Sequence, residues 1–207
     1  IRKYALQDER FLLSHDVKMI VAACGTVSSV AADTAESLPV PFVEVVSHSV
    51  RAAVAATKNG KIGILATSAT INSGAHKKQI LKSLPSAQVI EAAGTLLVPI
   101  VEEGWTKPDD AVAIEALRRY LNPMIDADVD TLILGCTHFP VLSTIIRNVL
   151  GNSVTLINMG EATAKAIEKT DPKEKVGVLC RKNKKVGVVE YTEISEEMAH
   201  QRDDYGS

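Results

Sequence analysis

Apolar and polar positions alternate in two rhythms along this chain. Short, nearly continuous apolar runs fall at about 17 to 23, 42 to 46, 61 to 66, 87 to 91, 129 to 134 and 154 to 157. Their length and β-branched content read as buried strands. Most segments between them repeat their apolar residues at helical spacing. Regular alternation of strand and helix predicts an α/β protein with a mainly parallel sheet covered on both faces, because parallel strands need crossover connections. Those crossovers are expected to be right-handed. The opening "IRKYALQDERFLLSHD" keeps helical spacing at Tyr4, Leu6, Phe11 and Leu12, so residue 1 is expected to lie already inside a helix. The closing "AHQRDDYGS" is polar and turn-like. Both ends read as cut, although a frayed terminus gives the same pattern at the second.

Two of the apolar runs end alike. "VKMIVAACGT" (17–26) and "VDTLILGCTH" (129–138) each carry a strand into a cysteine just before a helix, placing Cys24 and Cys136 at carboxyl ends. Open parallel sheets bind ligands there. Unpaired N–H groups and the positive end of a helix dipole favour anions, so a small acid and a thiolate would both be stabilised. A lone strand-end cysteine is ordinarily a small core residue; the repeated setting favours a functional reading for both. Two thiols facing a carbon centre from opposite sides would invert it, one thiolate removing a proton and the other thiol supplying one. That chemistry needs no pyridoxal cofactor.

Composition narrows the field further. The 207 residues are 46% apolar and 4% aromatic, with a formal charge of -2. No basic stripe marks a nucleic-acid surface. No apolar run is long enough for a membrane span, no signal-peptide pattern is visible, and three distant cysteines make no disulfide framework. The expected compartment is the cytoplasm. His15, His48, His76 and His200 share no metal-ligand spacing with the cysteines, so no metal is expected. Trp105 reads as packing or a surface anchor. In "GILATSAT", Thr67, Ser68 or Thr70 would serve locally as a helix cap.

"AACGTVSS", "GILATSATINSGAH", "LLVPIVEEGW" and above all "LILGCTHFPVL" resemble the glutamate racemases, cofactor-independent enzymes of cell-wall precursor supply. The stretches stand in the family's order, and the two thiols are 112 residues apart (136 − 24). The resemblance covers approximately residues 1 to 168. It implies two flavodoxin-like or Rossmann-like domains, with one catalytic cysteine from each at the cleft between them. On that pattern residues 1–46 are the remainder of the first domain, 47–155 the second, and 156–170 a return segment. Cys24 and Cys136 would be the proton carriers. Gly25, Thr26, Thr70, Thr137 and His138 would contact the substrate, and Glu102 would support Cys136 together with His138. Adjacent Glu103 leaves that match ambiguous by one position. The implied partner is glutamate alone, with no nucleic acid or membrane; a homodimer stays open. The implied role is supply of D-glutamate for peptidoglycan.

The sequence also departs from the pattern. The family's leading strand with its "DSGxGG" loop, and its later "YG" pair, are not found. The first sheet is therefore expected to have unpaired apolar edges, and the isolated chain to be a poor racemase or none. Gly25 stands where the family usually has asparagine, so a backbone donor survives without a side-chain contact. From about residue 171, "EKVGVLCRKNKKVGVVEYTEISEEMAHQRDDYG" reads as a hairpin and a polar helix that resemble part of a UDP-N-acetylhexosamine pyrophosphorylase. Cys180 inside that hairpin reads as structural. Three alternatives stand beside glutamate racemisation: an aspartate or related racemase, an inactive racemase fragment, and a redox pair forming a Cys24–Cys136 disulfide.

Overall fold

The computed structural model describes residues 1–15 and 17–167, apart from the side chains at 32, 36 and 37, and the backbone of 176–182 and 185–189. In chain order the elements are α1 (Arg2–Leu13), β1 (Met19–Ala22), α2 (Gly25–Val30), β2 (Phe42–Glu44), α3 (Val45–Ala56), β3 (Lys61–Ala66), α4 (Ser68–Ser73), α5 (Ala75–Ser83) and β4 (Gln88–Ala93). There follow α6 (Leu97–Glu102), α7 (Ala111–Asp126), β5 (Thr131–Gly135), α8 (Ser143–Leu150), β6 (Thr155–Asn158), α9 (Met159–Ile167), β7 (Val176–Lys182) and β8 (Lys185–Val189).

The strands form two four-stranded sheets, ordered β2-β1-β7-β8 and β4-β3-β5-β6. Every pairing is parallel except β7 with β8. The second sheet is built on the two-residue period of its central strands. Ile62, Ile64 and Ala66 of β3 and Ile133 of β5 join Val45, Val46, Val50 and Ile80 on one face. Leu65, Leu132 and Leu134 point to the other face, among Leu97, Leu117, Leu121, Met124 and Phe139. Both faces are thus buried, as a parallel sheet with crossover helices requires. Each of the Val, Leu, Ile, Met and Phe side chains among them contributes roughly 1.5–3 kcal/mol of burial. The first sheet has a smaller core of Leu12, Val17, Ile20 and Ala22.

Two sequence expectations need correction. The apolar run at 42–46 is only half strand, because the Glu44 carboxylate accepts from the N–H groups of Val46 (2.6 Å) and Ser47 (2.8 Å) and starts α3 there. A side-chain acceptor at the N-cap outweighs the β preference of Val45 and Val46. The edge of β1 expected to be bare is paired as well: Met19 to Ala22 lie against Val176 to Leu179 of β7. An apolar strand with free N–H and C=O groups takes whatever compatible strand the chain supplies. The expected hairpin is present as the antiparallel β7–β8 pair, in which Lys182 opposes Lys185. The polar helix expected after it lies outside the described residues, as does His200.

Among the described residues, no helix is long and apolar enough to cross a membrane.

Candidate active site

β1 ends two residues before Cys24, which becomes the N-cap of α2 with an extended backbone (φ −94°, ψ 122°). Its carbonyl accepts the N–H of Ser28 at 2.9 Å, opening the helix. Ser28, itself buried, donates its hydroxyl to the Ala22 carbonyl at 3.0 Å and fastens the turn to its strand. Cys24 is left half-buried, with Gly25 buried and Thr26 half-buried beside it.

The second thiol is furnished differently. β5 runs through five buried residues and delivers Cys136, 8% exposed, straight into the core around Phe139. Cys136 Sγ lies 3.7 Å from His138 Nδ1. The other ring nitrogen, Nε2, lies 3.3 Å from Glu102 Oε1. Thiol, imidazole and carboxylate therefore stand in line. The helix α6 sets that line: Leu97, Ile100 and Val101 bury its inner side, and Glu102 ends it. Of the two adjacent carboxylates it is Glu102, not Glu103, that faces the imidazole. Thr137 is half-buried in the same turn.

A third strand end meets these two. Beyond β3, Thr67 caps α4 by accepting the Thr70 N–H at 3.3 Å. Its hydroxyl also forms a triangle with two others: Thr26 to Thr67 at 3.0 Å, Thr67 to Thr70 at 3.0 Å and Thr26 to Thr70 at 3.3 Å. Thr70 is 1% exposed. The local cap reading of Thr67 is right but incomplete, since one hydroxyl both caps the helix and reaches across to Thr26 in α2. The T-x-x-T spacing, which puts both hydroxyls on the first turn of one helix, is the signal that could have shown it.

The turns carrying the thiols are in contact. Gly25, next to Cys24, lies against Gly135, next to Cys136. Cys24, Gly25, Thr26, Thr70, Cys136 and His138, with Glu102 behind His138, thus come together from both sheets. Among the described residues, no group of three or more His, Cys, Asp or Glu is placed to hold a metal ion. Cys180 lies in β7, and Trp105 is exposed after α6. His76 is buried in α5, with neither ring nitrogen hydrogen-bonded.

A family model described as Asp/Glu/Hydantoin racemase matches residues 3–167. The chain is 40% identical to a glutamate racemase of Syntrophus aciditrophicus over 167 residues, covering 80% of this chain and 61% of that protein. Against a glutamate racemase isoform of Bacillus anthracis the fold superposes with a TM-score of 0.76 at 33% identity, covering 81% and 63% of the two chains. A glutamate racemase of Francisella tularensis, solved in complex with D-glutamate, superposes with a TM-score of 0.74 at 26% identity, covering 96% and 76%. That 96% share reaches past residue 167, so the fold likeness takes in part of the chain beyond the family match. The chain spans about three fifths of the length of the curated relatives it matches.

Proposed function

Because the chain belongs to the Asp/Glu/hydantoin racemase family, we propose that its site interconverts L- and D-glutamate by proton transfer at the α-carbon, Cys24 serving one face and Cys136 the other. The observation that carries the reading is the line from Cys136 through His138 to Glu102. With the ring proton on Nε2 and directed at the Glu102 carboxylate, Nδ1 presents its lone pair to the sulfur. It can take the thiol proton, leaving a thiolate beside an imidazolium, the pairing that makes a cysteine reactive. A carboxylate bonded to the far ring nitrogen orients and polarises an imidazole in this way in other active sites.

One thiolate takes the α-proton, and the C–H electron pair stays on carbon. The opposite thiol then gives its proton to the other face, and the sulfurs exchange states. The α-proton is far less acidic than a thiol, so the developing carbanion needs electrostatic support. The backbone N–H groups of the Cys24–Thr26 and Cys136–His138 turns are the donors assigned to that work. The hydroxyls of Thr26, Thr70 and Thr137, with Gly25 and His138, bind the substrate's amino and carboxylate groups. The chemistry requires no cofactor, and its product would be D-glutamate for peptidoglycan in the cytoplasm.

The test is formation of D-glutamate from L-glutamate by the purified chain with no cofactor added. Slow turnover is expected, since the family's leading strand and loop are not found in this chain, and either cysteine-to-serine change should lower it by at least about 100-fold. A cooperatively unfolding chain with no turnover would overturn it, and turnover of aspartate alone would overturn the choice of substrate.

A further inference from the structure

Gly25 follows Cys24 and Gly135 precedes Cys136, and the two glycines touch. A Cβ built on Gly25 would stand 2.6 Å from the Gly135 carbonyl oxygen and 2.9 Å from Met159 Cε. The methionine tip can swing aside. The carbonyl cannot, because it belongs to the last residue of β5, a central strand buried throughout. Gly25 is the first residue of α2 and is not among the glycines with positive φ. Its backbone would accept any residue; the space around it would not. Thr26 then spans the same boundary through its hydroxyl, to Thr67 at 3.0 Å and Thr70 at 3.3 Å. Consecutive residues after the first thiol are therefore seated on the other half, Gly25 on the end of β5 and Thr26 on the start of α4.

We propose that Gly25 is a positioning residue that sets the separation of Cys24 and Cys136, by allowing the turn after β1 to rest directly on the end of β5. The proposal rests on the reading of both thiols as proton carriers. Restoring ordinary van der Waals contact at a Cβ means moving from 2.6 Å to at least 3.4 Å, so any side chain here pushes the two turns apart. A misplacement of about 1 Å at reacting groups can cost about 100-fold in rate.

The separation can be read without turnover. In the full chain carrying Cys180→Ser, leaving Cys24 and Cys136 as its two thiols, dibromobimane fluoresces only when it bridges neighbouring sulfurs, while a long flexible bismaleimide tolerates a wider gap. Gly25→Ala is expected to slow the dibromobimane bridge at least about threefold and to lower kcat more than it changes KM. Gly25→Asn should do both more strongly, with the bismaleimide bridge unchanged in each. Equal dibromobimane rates in parent and both variants would overturn the proposal. If Gly25→Asn loses its cooperative transition, Gly25→Ala decides alone. A chain inactive on glutamate whose bridging still follows residue 25 would sink the proposed reaction while leaving the spacing role supported.

Discussion

Cys24 and Cys136 leave equivalent strand ends, yet their surroundings differ. Cys136 is buried, with an imidazole at 3.7 Å and a carboxylate beyond it. Cys24 is half-buried at the start of a six-residue helix, with a glycine and a hydroxyl as its neighbours. A two-base reaction on mirror-image substrates needs two thiols but not two identical ones. On the proposed reaction, one side would have a proton acceptor of its own, and the other would depend on how closely its turn is seated against the opposite half. Repetition in the sequence marks where the two thiols stand, while the asymmetry between the copies shows what each would need to act as a proton carrier.

The most severe way to break the comparison is to remove either sulfur. Cys24→Ser and Cys136→Ser should each lower racemisation by about 100-fold to 10,000-fold, the usual range for loss of a general acid or base. Steady-state production of D-glutamate measures it, and equal loss at both positions is expected despite their unequal surroundings.

The two halves should also part company under acid. His76 sits in the half that bears Cys136, and burial pushes its pKa from 6.5 down to about 4. The unfolded chain therefore binds this proton first, so stability falls as pH drops from 6.5 towards 4, by about 3 kcal/mol at the lower end. Glu9 sits in the half that bears Cys24, buried in α1 and accepting a hydrogen bond from Thr34. Burial raises its pKa, with a further push from Asp8 and some relief from Thr34. Its contribution has the opposite sign, present at low pH and lost as pH rises through the folded value. Urea unfolding at pH 7 and pH 4.5 should show the acid loss, and His76→Leu should flatten it.

Smaller changes sharpen the asymmetry rather than abolish activity. His138→Asn should reduce α-proton washout about tenfold for the enantiomer that Cys136 deprotonates and much less for the other, with a shifted pH profile on the affected side alone. Glu102→Gln should cost only a few-fold on that same side, because a carboxylate with 61% of its side chain exposed is screened by water. Raising the salt concentration should shrink the Glu102 effect and leave the cysteine effects unchanged.

Most of this architecture is legible in the sequence, because strand burial and side-chain period are local properties. The run at 61–66 is β3 from Lys61 to Ala66, and those at 129–134 and 154–157 lie within a residue or two of β5 and β6. The strand-to-cysteine plan places both thiols. What the sequence leaves open depends on contacts between distant segments. Glu102 and Glu103 are indistinguishable until α6 is packed by Leu97, Ile100 and Val101. The meaning of Gly25 lies in the Gly135 carbonyl, 110 residues away (135 − 25). The pairing of β7 with β1 is likewise invisible, since nothing in "VGVLCRK" names its partner strand.

On the proposed reaction, Cys24 and Cys136 serve opposite faces of one α-carbon. Its most direct test is replacement of the α-proton by deuterium in L- and D-glutamate in heavy water, with no cofactor, in the parent chain and in the Cys24→Ala and Cys136→Ala variants. The account predicts exchange from both enantiomers in the parent, and loss from one enantiomer in one variant and from the other enantiomer in the other. Variants that lose both enantiomers equally, or keep both, would contradict it.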